Sequence, residues 1–209
     1  MPKVLPEYLE QRRKQILEAA AECFHESGFH QTSMQDICER ADLSPGAVYR
    51  YFKAKDDIIA AICDEAHQQD LMLIEGIKAS GNAFSVMEEL GRAFFNNLSD
   101  EDIRGHIDMI AEAPHSAHVR ATARRGAEAI VASFADFVAA AQARGDVNPN
   151  LDAEAVAQLM CAIYHGFIVQ KQINPDVDAN RYFDAVMTVF RDGFFASRQA
   201  VGTPRALSR

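Results

Sequence analysis

Hydrogen-bonding and cationic side chains are concentrated in one short stretch, from Ser44 to Lys55. Tyrosine and lysine suit the phosphate oxygens of a nucleic acid, and arginine suits either phosphate or the edges of bases. The stretch opens with the small residues Ser-Pro-Gly-Ala, which let a backbone approach a groove and leave N–H groups free to bind phosphate. This combination predicts contacts with a DNA duplex from Ser44, Pro45, Gly46, Ala47, Tyr49, Arg50, Tyr51, Lys53 and Lys55, with Thr32 and Ser33 just upstream.

Other roles are open to some of these side chains. Tyr51 is as well suited to a partly buried core position as to a DNA contact. Isolated lysines are commonly solvated, although the position of Lys53 and Lys55 beside a helix start favours phosphate. Thr32 and Ser33 lie at the start of a predicted helix, where capping of backbone N–H groups is compatible with a phosphate contact.

Two short helices joined by a tight turn are needed to present this stretch. The pattern predicts one helix over about 34–41, capped by Ser33, and a second from Ser44 to about residue 52, with Pro45 at its first position. Only two residues separate these helices. Such a connection is typical of the helix-turn-helix, in which the second helix enters the major groove of DNA.

The whole chain is predicted to be all-α, because no segment alternates with a period of two and glycine and proline are sparse. We expect a helix-turn-helix domain over 1–55, a larger helical ligand-binding and dimerisation domain over 56–201, and a flexible tail over 202–209. The remaining helices are expected at about 7–27, 56–79, 83–98, 101–113, 116–144, 152–172 and 179–198.

The net charge of −9 is unusual for a DNA-binding protein, but it is unevenly distributed. Residues 1–55 carry eight basic and eight acidic residues, whereas the remainder carries 13 basic and 22 acidic residues. A neutral N-terminal part can bind DNA if its basic residues share one face. The acidic remainder disfavours non-specific binding elsewhere.

Several classes of protein are disfavoured by the composition. No run of 18 apolar residues is present and the N-terminus has no apolar signal region, so we expect a cytoplasmic protein without a membrane partner. The four cysteines form no CxxC pair and lie among apolar residues, which indicates buried thiols rather than disulfides or metal ligands. The sequence contains no phosphate loop or catalytic constellation, so neither a cofactor nor a metal is expected.

The segment from Gly28 to Ile58 resembles the DNA-binding region of TetR-type transcriptional repressors. The resemblance covers about residues 10–60 and rests on the order and spacing of Gly28, Thr32, a Ser-x-Gly at 44–46, a Tyr-x-x-Phe at 49–52 and Lys55. Aspartate replaces the usual turn glycine at position 42. The rest of the chain matches the family only in length and helical character.

Membership of that family would imply a homodimer that binds a palindromic double-stranded DNA operator. The dimer would leave the operator when a small-molecule effector enters the C-terminal domain. The resemblance also implies phosphate and groove contacts from Thr32, Ser33, Ser44, Gly46, Ala47, Tyr49, Arg50, Tyr51 and Lys55. The last two helices would pair with those of the partner as a four-helix bundle.

Apolar residues on the last two predicted helices support a dimer independently. They cover more than one face of each helix, which therefore needs more than one neighbour. A fully internal helix pair in a monomer is the alternative. The predicted interface residues are Val156, Leu159, Ile163, Phe167, Val186, Val189, Phe190 and Phe194.

A ligand cavity in the C-terminal domain is harder to predict, because most apolar residues there are simply core. The candidate lining residues are Phe84, Met87, Phe94, Met109, His118, Phe134, Phe137, Met160 and His165. The alternative function is an all-helical enzyme or ligand carrier with an incidental helix-turn-helix. The lack of a catalytic constellation disfavours the enzyme.

Overall fold

The computed structural model describes residues 6–78 and 82–193, and over these ranges the chain forms nine α-helices and no strand, which confirms the all-α prediction. The helices are α1 (Pro6–Ser27), α2 (Met34–Arg40), α3 (Pro45–Tyr51), α4 (Lys55–Lys78), α5 (Ala83–Asn96), α6 (Asp100–Glu112), α7 (Ala117–Arg144), α8 (Ala153–Ile173) and α9 (Ala179–Gly193). The predicted extension of the last helix to residue 198 and the tail over 202–209 lie outside the described residues.

Local capping chemistry sets the helix boundaries. Ser33 and Asp36 form a capping box at the start of α2, and Ser99 and Asp102 form another at the start of α6. Each box satisfies backbone N–H groups that have no partner within their helix. At the other end of α7, Gly145 adopts φ 79°, the left-handed conformation that ends helices at little steric cost.

An apolar core formed by α1–α4 holds the N-terminal module together. Ile16, Ile37, Val48 and Ile58 are fully buried in it. Residues of α4 beyond position 55 therefore belong to this core, which extends past the domain boundary proposed from the sequence. The core also includes Met109 of α6 and Val119 of α7.

A second core fills the C-terminal body. Helix α4 packs along α7, α7 packs against α8, and α5 packs against α9. The largest fully buried side chain of this core is Phe167, and Ile74 carries the C-terminal half of α4 into it. Helix α4 is thus shared between the two cores. None of the helices in residues 6–78 and 82–193 combines the length and apolarity that crossing a lipid bilayer requires.

Candidate nucleic-acid interface and internal cavity

The turn between α2 and α3 is closed by backbone hydrogen bonds, although aspartate occupies position 42, where the resemblance leads us to expect glycine. Asp42 has φ 51°, the left-handed conformation for which glycine is usually chosen. Its N–H donates to the Glu39 carbonyl oxygen at 3.1 Å, and the Leu43 N–H donates to the Cys38 carbonyl oxygen at 3.0 Å. Aspartate is one of the residues that tolerate this conformation, so the departure at position 42 leaves the turn intact.

Helix α3 presents a thin, polar outer face. The hydroxyl of Ser44 accepts a hydrogen bond from the Ala47 N–H at 3.3 Å, and a Cβ added at Gly46 would meet no atom within 4 Å. Tyr49 is 42% exposed, and Arg50 is exposed without a hydrogen bond or ion pair to any described residue. These side chains are free to reach an external partner.

The inner face of α3 is anchored in the module. Val48 and Phe52 are buried, as their spacing of four predicted. Tyr51 is half-buried and packs against the same core. This position is compatible with both of the roles considered for that tyrosine.

The two hydroxyl residues before α2 differ in their surroundings. Thr32 is only 2% exposed, and its Oγ1 donates to the carbonyl oxygens of Gly28 at 2.9 Å and Cys23 at 3.1 Å. This corrects the expectation that Thr32 contacts phosphate, because the hydroxyl is used inside the module. Ser33 is exposed and caps α2 through Asp36, so a phosphate contact remains a prediction for it.

The two lysines after α3 are also engaged within the module. Lys55 Nζ donates to the Phe29 carbonyl oxygen at 2.7 Å and lies 4.6 Å from the centre of the Phe29 ring. Lys53 is exposed, and its Nζ donates to the Tyr49 carbonyl oxygen at 2.5 Å. Lys55 therefore stabilises the module, and we expect this role in place of the phosphate contact, which stays a prediction for both lysines.

We expect Lys55→Ala to destabilise the module rather than to remove a phosphate contact. Losing the hydrogen bond and the cation–π contact should lower the free energy of unfolding by about 1–2 kcal/mol. The salt dependence of DNA binding should keep its slope. Denaturant unfolding and binding titrations at several salt concentrations measure both, with the exposed Lys14→Ala as the control. A slope reduced by about 1 would establish the phosphate contact instead.

A cavity of about 590 Å³ lies between the module and the body. Its walls come from α4–α9, and Ala21, Phe24 and His25 of α1 close the side facing the module. Six of the predicted lining residues line it, namely Met87, Phe94, Met109, Phe134, Met160 and His165.

Three predicted lining residues lie elsewhere, which corrects the prediction for them. Phe84 faces a separate small groove between α5 and α9. Phe137 is buried in the body core, where it does not reach the cavity wall. His118 is on the surface, with Nε2 3.7 Å from Asp57 Oδ1. Helical spacing identified the inward side of each helix but not which inward residues border empty space.

Polar side chains other than the predicted lining residues given above also border the cavity. Asp70 and His67 project from α4, Asp102 from α6 and Tyr164 from α8. His106, on α6, has its ring centre 4.9 Å from that of His165. In the sequence these residues look like the solvated side chains of ordinary amphipathic helices, so no local signal separates them from the surface.

The cavity environment changes the ionisation of these groups. Burial and the nearby charge of Asp102 raise the pKa of Asp70 to about 6. Burial, with smaller effects from His165 and His67, lowers the pKa of His106 to about 4. Both shifts follow from desolvation of the charged form. His67 Nδ1 and His106 Nε2 are buried without a hydrogen-bond partner among the described residues.

We expect Asp70→Asn to stabilise the protein near neutral pH. The pKa of Asp70 is raised from 3.8 to about 6 in the folded state. The ionised carboxylate therefore costs stability above about pH 6, and this cost disappears below about pH 4, where both states are protonated. The variant should gain about 1–2 kcal/mol of unfolding free energy at about pH 7.5.

Denaturant unfolding at these two pH values measures the effect of Asp70→Asn. The exposed Asp100→Asn, which is outside the cavity lining, is the matched control. An equal gain for Asp70→Asn at about pH 4 would show that ionisation is not the cause.

One hydrogen bond beside the cavity links the body to the module. Arg104 of α6 donates from Nη1 to the His25 carbonyl oxygen near the end of α1, at 2.8 Å. Both residues line the cavity. This hydrogen bond ties the part of the cavity wall formed by α6 to the end of α1.

An apolar stripe lies on the outer side of α8. Ala155, Leu159, Ala162, Gly166, Val169 and Ile173 repeat at alternating intervals of four and three, and Leu159, Val169 and Ile173 are 52%, 41% and 78% exposed. Val189, 72% exposed, adds an apolar side chain on α9. We call these seven residues the outer stripe. Isolated exposed apolar residues are ordinary, but a continuous stripe marks an interaction surface.

The predicted interface residues within the described ranges fall into three groups by exposure. Leu159 and Val189 belong to the outer stripe, and Ile163 and Val186 are half-buried. A correction applies to the buried residues Val156, Phe167 and Phe190, whose side chains are used in the body of a single protomer. Phe194 lies outside the described residues. Apolar spacing alone could not separate the core side of these helices from the outer stripe.

Metal binding finds no support in the part of the chain that the structure describes. No group of three or more histidine, cysteine, aspartate or glutamate residues there could hold a metal ion. The cysteines Cys23, Cys38 and Cys63 are buried free thiols, and Cys161 is half-buried.

A helix-turn-helix with a polar outer face, joined through α4 to a helical body with a cavity, defines the class of DNA-binding transcriptional regulators. Family models agree with this class. Residues 16–62 match the bacterial regulatory proteins of the tetR family, and residues 89–192 match the C-terminal domain of BetI-type transcriptional repressors. The chain belongs to the TetR family of transcriptional regulators, which are not enzymes.

Individual relatives match over most of the chain. The transcriptional regulator UidR of Escherichia coli is 27% identical over 160 residues, which cover 75% of this chain and 79% of UidR. The structure of Salmonella enterica GusR superposes with a TM-score of 0.77 at 26% identity, covering 87% of this chain and 94% of GusR. SmeT in complex with triclosan shares the fold, with a TM-score of 0.75 at 22% identity over 95% and 98% of the two chains.

Proposed function

We propose that this transcriptional regulator is a cytoplasmic homodimer that represses by binding a palindromic operator and leaves it when a small molecule occupies the cavity. Binding to DNA would use the outer face of α3. On this proposal Ser33, Ser44, Tyr49 and Arg50 contact phosphates or bases, and Gly46 allows the backbone to approach the groove. Pro45, Ala47, Tyr51 and Lys53 complete the proposed surface.

The observation that carries the effector part of the proposal is the shared lining of the cavity. Phe24 and His25 belong to the module, whereas Met160 and His165 belong to the body. A ligand that fills this space contacts both parts at once. The ligand therefore binds most tightly to the orientation of module and body that fits it best. Such a difference in affinity is what shifts a population between two conformations. SmeT, which has the same fold, holds triclosan.

Helix α4 gives this shift a route to DNA. Its N-terminal half is buried in the module and its C-terminal half in the body, so tilting α4 moves the recognition helix. In a dimer, two recognition helices must match half-sites about one helical turn apart. A small change in tilt on both protomers alters their separation and weakens binding to the operator.

Support for a dimer comes from the outer stripe. Helices α8 and α9 expose it although their other sides are already packed in the body. A second copy would cover it through an isologous interface, in which the same surface is used by both protomers. The twofold axis of such a dimer matches the symmetry of a palindromic site.

The proposal is tested by measuring affinity for the DNA upstream of the protein's own gene, with and without a ligand shown to bind the purified protein. We expect the ligand to weaken DNA binding by about 5- to 150-fold, the range typical of allosteric coupling. Equal affinities with and without that ligand would refute its role as an effector. Failure to bind the upstream DNA or any genomic fragment would refute operator binding.

Arg104→Ala tests the proposed route from cavity to DNA. Without its hydrogen bond to the His25 carbonyl oxygen, α6 should transmit less of the ligand's effect to α1. We expect the ratio of operator affinities with and without ligand to fall toward 1 by about threefold or more, while DNA binding without ligand persists. The exposed Arg92→Ala, on α5 and not itself part of the cavity lining, is the control. An unchanged ratio would exclude Arg104 from the coupling.

A further inference from the structure

We propose that the cavity selects an organic cation, whose positive group is held by the carboxylate of Asp70, with Asp102 at the mouth, beside the ring of Tyr164. The apolar part of the ligand would contact Met87, Phe134 and other apolar residues deeper in the cavity. This inference rests on the proposed function of the cavity as an effector site, and it specifies the chemistry of the effector.

The first argument for a cationic ligand is the excess of negative charge on the cavity lining. Four carboxylates line the cavity, those of Asp70, Glu101, Asp102 and Asp108, against the single guanidinium of Arg104. That guanidinium donates to the His25 carbonyl oxygen, and its charge acts on Asp108, whose pKa it lowers against the larger effect of burial.

The carboxylates of Asp70 and Asp102 are therefore left without a cationic partner. Neither forms an ion pair with a lysine or arginine among the described residues. Asp102 Oδ2 accepts the hydrogen bonds of the capping box from Ser99, and its other oxygen makes no hydrogen bond there. A cation would relieve the cost of the partly buried, unpaired charge of Asp70 and would also be attracted by the exposed carboxylate of Asp102.

Aromatic rings line the same cavity as these carboxylates. The Tyr164 ring centre lies 5.3 Å from that of Phe94 and 6.0 Å from that of Phe95, in edge-to-face arrangements. The charges of Asp70 and Asp102 contribute, after burial, to a raised pKa of the Tyr164 hydroxyl, so this ring lies within reach of their field. Ring faces attract ammonium groups, and desolvation strengthens this attraction.

The histidines of the cavity disfavour an anionic ligand. Burial lowers the pKa of His67, His106 and His165, so all three imidazoles are neutral near pH 7. An anion would find no positive partner among them, whereas the exposed Glu101 and Asp102 at the mouth would repel it. The same two carboxylates would raise the local concentration of a cation at the entrance.

Size and polarity fit a ligand with one charged end. The cavity of about 590 Å³ has the size of a drug-like binding site, and most of its lining is apolar. Met87, Phe134 and Met160 are buried residues of the body core that border it. An amphipathic cation, with an ammonium head and an aryl or alkyl body, matches this division between acidic mouth and apolar interior.

Calorimetric titration of the full-length protein with three aryl-alkyl probes that differ in charge tests the inference. The probes are phenylbutyltrimethylammonium, its neutral isostere in which a quaternary carbon replaces the nitrogen, and phenylbutyrate. We expect the cation to bind at least about tenfold more tightly than the neutral isostere, and phenylbutyrate to bind most weakly. Asp70→Asn and Asp102→Asn should each reduce cation affinity about tenfold, whereas Asp100→Asn should leave it unchanged.

Every other result overturns the cation preference. Equal affinities for the cation and the neutral isostere would overturn the preference but would still show that the cavity binds ligands. Tighter binding of phenylbutyrate would have the same meaning. No binding of the cation, or full affinity in the Asp70→Asn variant, would also overturn it. Operator release is measured separately, so a cation that binds with the expected selectivity but does not release DNA refutes only the effector function.

Discussion

Replacing Gly46 with glutamate is expected to abolish specific DNA binding, with a loss of affinity of at least about a hundredfold, while the protein keeps its fold. Gly46 lies in the first turn of α3, and a side chain there would meet no atom of the protein within 4 Å. The free protein has no steric need for glycine at this position, and on the proposed binding mode the missing side chain lets the α3 backbone approach the DNA groove. A carboxylate there would meet the phosphates of the duplex at close range.

The chain offers a matched control for this variant. Gly76, exposed in the C-terminal half of α4, has equally open space around its Cβ. Gly76→Glu makes the same chemical change in a helix but lies in the body. Thermal unfolding should be near wild type for both variants, and mobility-shift titrations should separate them. Equal DNA affinity in the two would remove α3 from the proposed interface.

Replacing Val169 with glutamate is expected to dissociate the proposed dimer and to lower operator affinity by at least about a hundredfold. Val169 lies in the outer stripe near the C-terminal half of α8 and is 41% exposed. In a symmetric dimer each substitution occurs twice, so two carboxylates would be buried against apolar surface without partners. A monomer loses the second recognition helix and with it most of the affinity for a palindrome.

Sedimentation velocity measures the oligomeric state of this variant directly. Gln170→Glu adds the same charge at the next residue of α8, which is exposed and outside the stripe. This control should remain dimeric and should bind DNA as the wild type does. A dimeric Val169→Glu protein would place the interface elsewhere on the molecule.

Helix positions and the helix-turn-helix could be predicted well from the sequence because their determinants are local. Ser33, Ser44 and Pro45 mark helix starts through hydrogen bonds and backbone restrictions that act within a few residues. The buried pair Val48 and Phe52 follows from helical periodicity alone. Such signals do not depend on how distant parts of the chain pack.

The cavity could be predicted only in part because its determinants are not local. Periodicity gave correct lining residues such as Met87 and Met160, since both face inward on their helices. It could not separate them from Phe137, which also faces inward but fills the core. Asp70 has the sequence context of a solvated residue, and only the packing of α4 near α6 makes it part of a cavity wall.

Thr32 and Lys55 show the reverse case, in which side chains expected to face DNA make hydrogen bonds within the module. Both residues have donor groups suited to phosphate, so their chemistry alone favours an external role. Their donors are instead used on the backbone around Phe29 and Gly28, which brings the end of α1 close to the start of α4. The sequence shows which side chains can donate a hydrogen bond, but the fold determines which acceptor each of them meets.

Met109 and Val119 give the DNA-binding module a dependence on the rest of the chain. These residues of α6 and α7 fill part of the core that α1–α4 build. A segment ending within α4 would expose that part of its core to water. The DNA-binding module therefore cannot be exchanged freely between proteins. A chimaera that joins it to a different C-terminal body must also supply side chains equivalent to Met109 and Val119. Domain exchange between relatives is limited by this contact between the module core and helices α6 and α7.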